Sequence, residues 1–153
     1  MNIDKLNFVS SGFLPFLNNL DAGAKGKWGK MNGQQMVEHL SAFFAISTGK
    51  LTFPMVTPIA LLPKFKEFLW SEKEFRENTK APVLPEEPLP LKFATMGASI
   101  KALNNEVKEF VDQFGKDDKL IREHPVFGAL NFEEWVLLHY KHVNHHLRQF
   151  GLV

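Results

Sequence analysis

Four of the chain's six histidines, His139, His142, His145 and His146, fall on one stretch that the sequence marks as helical. Phe132 to Phe150 contains neither Gly nor Pro. Asn131 followed by Glu134 has the form of a capping box, with Asn in place of Ser or Thr, and Gly151 supplies a stop. At about 100° per residue, His139, His142 and His146 lie within roughly 60° of one another on this helix. Trp135 falls in the same sector and Leu138 beside it, so the histidine face is the one expected to pack inward. His145 lies off to one side. A fold for this chain must therefore bury three imidazoles on one helix and give them partners.

Three further helices are legible. Asn32 and Gln35 repeat the capping pattern, and Met36, His39, Phe43 and Ile46 recur at helical spacing up to Gly49. His39 thus occupies an apolar-seam position. Met96, Ile100, Leu103, Val107, Phe110 and Phe114 form one continuous seam that Gly115 and a charged run are expected to end. Near the N-terminus Val9, Phe13, Phe16, Leu17 and Leu20 have helical spacing, but Pro15 must kink that helix or delay its start. No segment alternates strongly enough to predict a strand, and no internal repeat is visible.

Roughly forty residues separate the second and third helices, far more than usually join antiparallel neighbours. They contain Pro54, Pro58, Pro63, Pro82, Pro85, Pro88 and Pro90, with a short helix expected over 64–76. Such a connection lets the third helix start from the far end of a bundle. The expectation is an all-α, single-domain four-helix bundle over residues 1–153 with one long crossover.

Composition narrows the function. The net charge of +1 comes with scattered Lys and Arg, which argues against a nucleic-acid surface. There is no cysteine, so disulfides, thiolate ligands and cysteine nucleophiles are all excluded. The most apolar stretch, residues 51–63, is short and carries three prolines, so no membrane span is expected. Without a signal pattern at the N-terminus, a cytoplasmic protein is expected. Fifteen Phe against one Tyr point to a core of phenyl rings, and an exposed part of that set could support a homodimer.

The histidines carry the chemistry. A lone histidine on an apolar face is most often a hydrogen-bonded core residue. Three inward imidazoles from two helices are harder to satisfy, because each neutral ring has one donor and one acceptor. A divalent ion removes the difficulty by taking one nitrogen from each ring, and an i, i+4 pair is a chelating spacing. Spacing alone leaves His139 with His142, at i, i+3, as a competing pair.

Two strings carry a family resemblance. Residues 28–39, Trp-Gly-Lys-Met-Asn-Gly-Gln-Gln-Met-Val-Glu-His, resemble the second-helix signature of the DinB/YfiT-like superfamily. Residues 142–149, His-Val-Asn-His-His-Leu-Arg-Gln, resemble its fourth-helix signature. The fuller string of His124 to Gly128, Glu134-Trp135 and His142 to Gly151 is similar to a branch known as a domain of unknown function. The resemblance covers nearly the whole chain and implies a metal held by His39, His142 and His146. His139 then becomes a pocket wall or a support for the ligands, with Gln35, Gln149 and Trp135 in similar roles.

Three imidazoles leave a divalent ion its full charge and an open position, as in catalytic rather than structural sites. Zn or Ni is the expected metal. Relatives in the superfamily include thiol transferases, so the resemblance implies an enzyme that activates a metal-bound thiol or water against a small molecule, with a low-molecular-weight thiol as co-substrate. No general base stands out, since Glu38 points about 100° away from His39. The competing expectations are a non-catalytic, stress-related binding module and a metal-free bundle with a structural histidine core. The position of His124 before Pro125 favours a loop anchor.

Overall fold

A computed structural model describes all residues, 1–153. The chain is mostly helical, with five α-helices and a small two-stranded sheet. The helices are α1 (Ile3–Asn7), α2 (Gly33–Ser47), α3 (Leu62–Trp70), α4 (Met96–Lys116) and α5 (Phe132–Gln149). The strands β1 (Arg122–His124) and β2 (Gly128–Leu130) pair antiparallel, with Glu123 opposite Ala129. No helix is long and apolar enough to cross a membrane.

The expected capping boxes form. Asn32 accepts from Gln35 N while Gln35 Oε1 accepts from Asn32 N, and Asn131 and Glu134 do the same for α5. Each box satisfies two of the backbone donors that a helix start leaves free. Helix α4 begins instead on Thr95, whose hydroxyl accepts from Ala98 N. It runs through Gly115 to Lys116, one residue past the expected stop.

Three expectations need correction. The first helix is broken into α1, a π-turn over Phe8–Gly12 and a 3₁₀ segment over Leu14–Asn19. Pro15 supplies no N–H, so α-type bonding cannot run through it and the chain tightens to 3₁₀. Val9, Phe13 and Leu17 are still fully buried, while Phe16 is turned outward. The crossover helix stops at Trp70, not near residue 76. There the Lys141 ammonium takes the carbonyls of Ser71 and Lys73, at 2.6 and 2.5 Å, and pulls the chain out of helical path. The hairpin was not expected, because three-residue strands are too short to display alternation.

The core is one continuous cluster that includes Phe13, Phe44, Phe110, Phe114 and Phe127. Helix α2 lies along α4, and α5 packs against α1, α3 and α2. Phe110 sits at the centre, fully buried, with its ring 5.7 Å from Phe44, 5.3 Å from Phe114 and 5.5 Å from Phe132. The crossover returns along α2, held by Glu38, whose carboxylate accepts from Lys92 N, Phe93 N and the Ser99 hydroxyl.

Phe110→Ala should destabilise the protein by about 3–5 kcal/mol through lost burial and a residual cavity. Urea unfolding would measure this, and a loss under about 1 kcal/mol would mean that the ring is not central to the core.

Candidate metal centre

Helices α2 and α5 bring His39, His142 and His146 together, with their candidate ligand nitrogens all within 4.8 Å. His142 Nε2 lies 2.9 Å from His39 Nε2 and 2.9 Å from His146 Nε2. The three ring centroids are 4.6 to 4.9 Å apart. His142 and His146 are buried, and His39 is half-buried at the edge.

The tautomer of His146 follows from its neighbours. Gln149 Nε2 donates to the Trp28 carbonyl at 2.9 Å, so Gln149 Oε1 faces His146 Nδ1 and accepts its proton at 2.7 Å. His146 Nε2 is then a bare lone pair aimed at His142 Nε2. Without an ion, only one arrangement avoids opposing two lone pairs or two N–H groups. A single proton on His142 Nε2 must be shared between His39 and His146. That choice leaves His142 Nδ1 as a bare acceptor, and this atom is buried without a partner.

A divalent ion at the centre would accept all three lone pairs. Tetrahedral ligation at about 2.0–2.1 Å places ligand nitrogens about 3.3 Å apart. The two 2.9 Å contacts of His142 reach this with movements of a few tenths of an ångström, and all three nitrogens lie within 4.8 Å of one another. The residues present therefore fit a bound metal.

Electrostatics keep the rings in the ligating form. Burial, with a smaller contribution from His145, lowers the His39 pKa to about 4. Burial also holds His142 and His146 well below the usual imidazole value; each feels its histidine neighbours, and the Gln149 bond opposes the shift at His146.

The other expected site residues have separate places. His139 lies outside the cluster: its Nε2 is 2.9 Å from the Ser47 hydroxyl, which itself donates to the Phe44 carbonyl. The hydroxyl is thus an acceptor for His139 Nε2–H. The His139 ring stacks on Phe44 with centroids 3.8 Å apart and also lies against Trp135. Trp135 is fully buried and donates from Nε1 to the Arg122 carbonyl. The Gln35 side chain is taken up by the α2 cap and, at 3.5 Å, by the Leu89 carbonyl, with no bond to the histidines. Gln149 is the one expected support that bonds a ring of the cluster. His124 anchors the hairpin, its Nδ1 accepting from Val126 N and Phe127 N. His145 is buried beside Trp28 and Phe75, with its ring 5.0 Å from His146.

Two features of the site were not singled out from the sequence. Phe43 covers His142, with ring centroids 3.9 Å apart. The loop before α2 grips Gln149: Lys27 N donates to the Gln149 carbonyl, and Gly29, at φ 77°, lies so close that a Cβ would sit 2.7 Å from Gln149 Nε2. A Cβ on Gly26 would meet the Trp28 carbonyl at 2.8 Å and Gln149 Cγ at 2.9 Å. The tight spacing of Gly23, Gly26 and Gly29 around Trp28 was the available signal.

Fold and site together define a mostly helical protein in which three histidines lie close enough to bind a metal. Over residues 16–151 the chain matches the family described as a protein of unknown function, DUF1569, and it belongs to that family. No curated protein and no solved structure gives a significant match.

The buried histidines set a pH dependence for the metal-free protein. His124, lowered to about 3 by burial, and His39, at about 4, both take up protons in the unfolded chain near pH 6.5, before the folded chain does. Stability should be fully present above about pH 6.5 and fall steadily as the pH drops toward 3. Urea midpoints measured in chelator across this range would show the slope, and a midpoint that rises on acidification would contradict neutral buried rings.

Proposed function

We propose that this protein is a divalent-metal-dependent enzyme acting on a small molecule, built as a four-helix bundle of the DinB/YfiT-like kind and working in the cytoplasm. His39, His142 and His146 are the ligands, with Zn or Ni as the metal. The observation that carries this reading is the proton count: three Nε2 atoms converge where protein protons can satisfy them in only one strained arrangement. Three protein ligands leave a position open to a water or thiol, and a divalent ion there lowers the pKa of either group.

The chain's own residues then do the rest. Gln149 holds the His146 proton on Nδ1 and leaves Nε2 free. Phe43 shields His142 from water on one side. Glu38, although next to His39 in sequence, is committed to the crossover backbone and is not a base for the site. The protein supplies no adjacent carboxylate, which favours a nucleophile generated by the metal over one activated by a side-chain base. The similarity of residues 28–39 and 142–149 to superfamily signatures supports transfer or hydrolysis with a low-molecular-weight thiol or water as nucleophile.

Protein purified without a histidine tag and analysed for metals should carry close to one transition ion per chain, and His39→Ala and His142→Ala should each remove it. A protein that takes up neither zinc nor nickel when offered them sinks the reading. Gln149→Leu should weaken metal binding about 10–100-fold in competition with a chromophoric chelator, since the His146 tautomer is no longer held. Gln149→Glu, which still accepts from Nδ1, should bind close to normally.

A further inference from the structure

A cavity of about 420 Å³ opens beside the histidine cluster, within the size range of about 300–1,000 Å³ typical of small-molecule sites. Four separated stretches wall it: Lys27 and Trp28 before α2, residues 74–77 of the crossover, His145 with Arg148 on α5, and Val153. Two of these stretches are tied to the cluster. The Trp28 carbonyl holds Gln149 and through it His146, and the His145 ring lies 5.0 Å from that of His146.

The lining has a definite chemistry. Arg148 is paired with Glu74 at 2.9 Å, which leaves Lys27 and Arg76 as cations without a side-chain ion pair, alongside Glu77 and the terminal residue Val153. Trp28 and Phe75 add aromatic faces beside the His145 ring, 5.5 and 6.1 Å from it. Two polar atoms of these walls, Trp28 Nε1 and His145 Nδ1, are buried without a protein partner. Buried donors and acceptors are normally satisfied, so their lack of a partner points to a polar group supplied from outside the chain.

We propose that this cavity binds a small organic carboxylate with an apolar or aromatic body, the carboxylate meeting Lys27 and Arg76 and the body lying against Trp28 and Phe75. The cavity is the anchoring site of the substrate, one imidazole ring away from the metal centre. Its role as a substrate site rests on the metal-enzyme reading; its capacity to bind a carboxylate does not.

The probe is 3-phenylpropionate, with 3-phenyl-1-propanol as the uncharged control, titrated into ¹⁵N-labelled full-length protein. The indole N–H signals of Trp28, Trp70 and Trp135 report binding. The acid should shift the Trp28 signal saturably and leave that of the buried Trp135 in place, and the alcohol should bind about tenfold more weakly or less. Lys27→Ala with Arg76→Ala, both exposed side chains whose loss should leave the fold intact, should weaken the acid by about tenfold or more. Lys27→Glu should weaken it as well. No saturable Trp28 shift, equal binding of acid and alcohol, or full binding by the double variant would each overturn the proposal. Zinc binding by chelator competition on the same samples separates the two readings. Zinc retained without acid binding removes the cavity assignment alone, whereas acid binding without zinc uptake keeps the carboxylate site and removes the metal enzyme.

Discussion

Three imidazole nitrogens that converge with a single proton to share are the constraint around which the rest of this structure is arranged. Nothing in the hydrophobic core requires His39 and His142 to meet at 2.9 Å; apolar side chains at those positions would bury area at less cost in unmatched polar groups. The convergence requires α2 and α5 to hold a fixed separation and rotation, since a shift of one residue on a helix turns a side chain by about 100°. Much of the remaining architecture acts to hold those two helices. Both begin with reciprocal capping boxes, which fix where each helix starts and hence which residues face inward.

The long connection between α2 and α4 has a place in the same arrangement. Glu38 gathers two backbone N–H groups and the Ser99 hydroxyl, and so pins the end of the crossover to the outside of α2. Lys141 does the corresponding work on α5, where it takes two crossover carbonyls and lies over the Phe68 ring. Each is adjacent in sequence to a cluster histidine or to its helical neighbour, and each points away from the cluster. Residues flanking the histidines thus tie the irregular chain to the outer faces of the helices, and the inward faces are left to the imidazoles.

The sequence made the helices legible where the signals were local. The capping pairs Asn32 with Gln35 and Asn131 with Glu134, and the seam from Met96 to Phe114, depend on neighbours a few residues away, and they form as the pattern implies. The convergence of His39 with His142 and His146 is a long-range pairing that spacing could not specify; the family resemblance, not periodicity, separated it from the pair of His139 and His142. What stayed hidden was set by tertiary contact. Gln35 and Gln149 look alike from the sequence, each a glutamine near a histidine. Gln35 is consumed by its own helix cap, and only Gln149 meets a ring, because the loop at Gly26 and Gly29 closes on it. The hairpin at 122–130 escaped notice because its three-residue strands are too short to show alternation.

The six histidines show why residue type alone does not define a site. His124 is satisfied by two backbone N–H groups, and His139 by a hydroxyl whose own proton is already spent on a carbonyl. Each of those rings has a partner that the fold supplies at one nitrogen, and neither ring faces the cluster; His139 Nδ1 is buried without a partner. His146 also has a partner, at Nδ1 like His124, but the nitrogen left over points at another imidazole. The difference between a core histidine and a candidate ligand is therefore what the remaining nitrogen faces. Where the bond falls on the side facing the protein, the side facing the cluster is left free to bind something else. Gln149 makes that choice for His146, and the glycine loop around Trp28 makes it for Gln149. A loop that precedes α2 by only a few residues thus controls a candidate ligand on the last helix, and it does so next to the cavity whose wall it also forms.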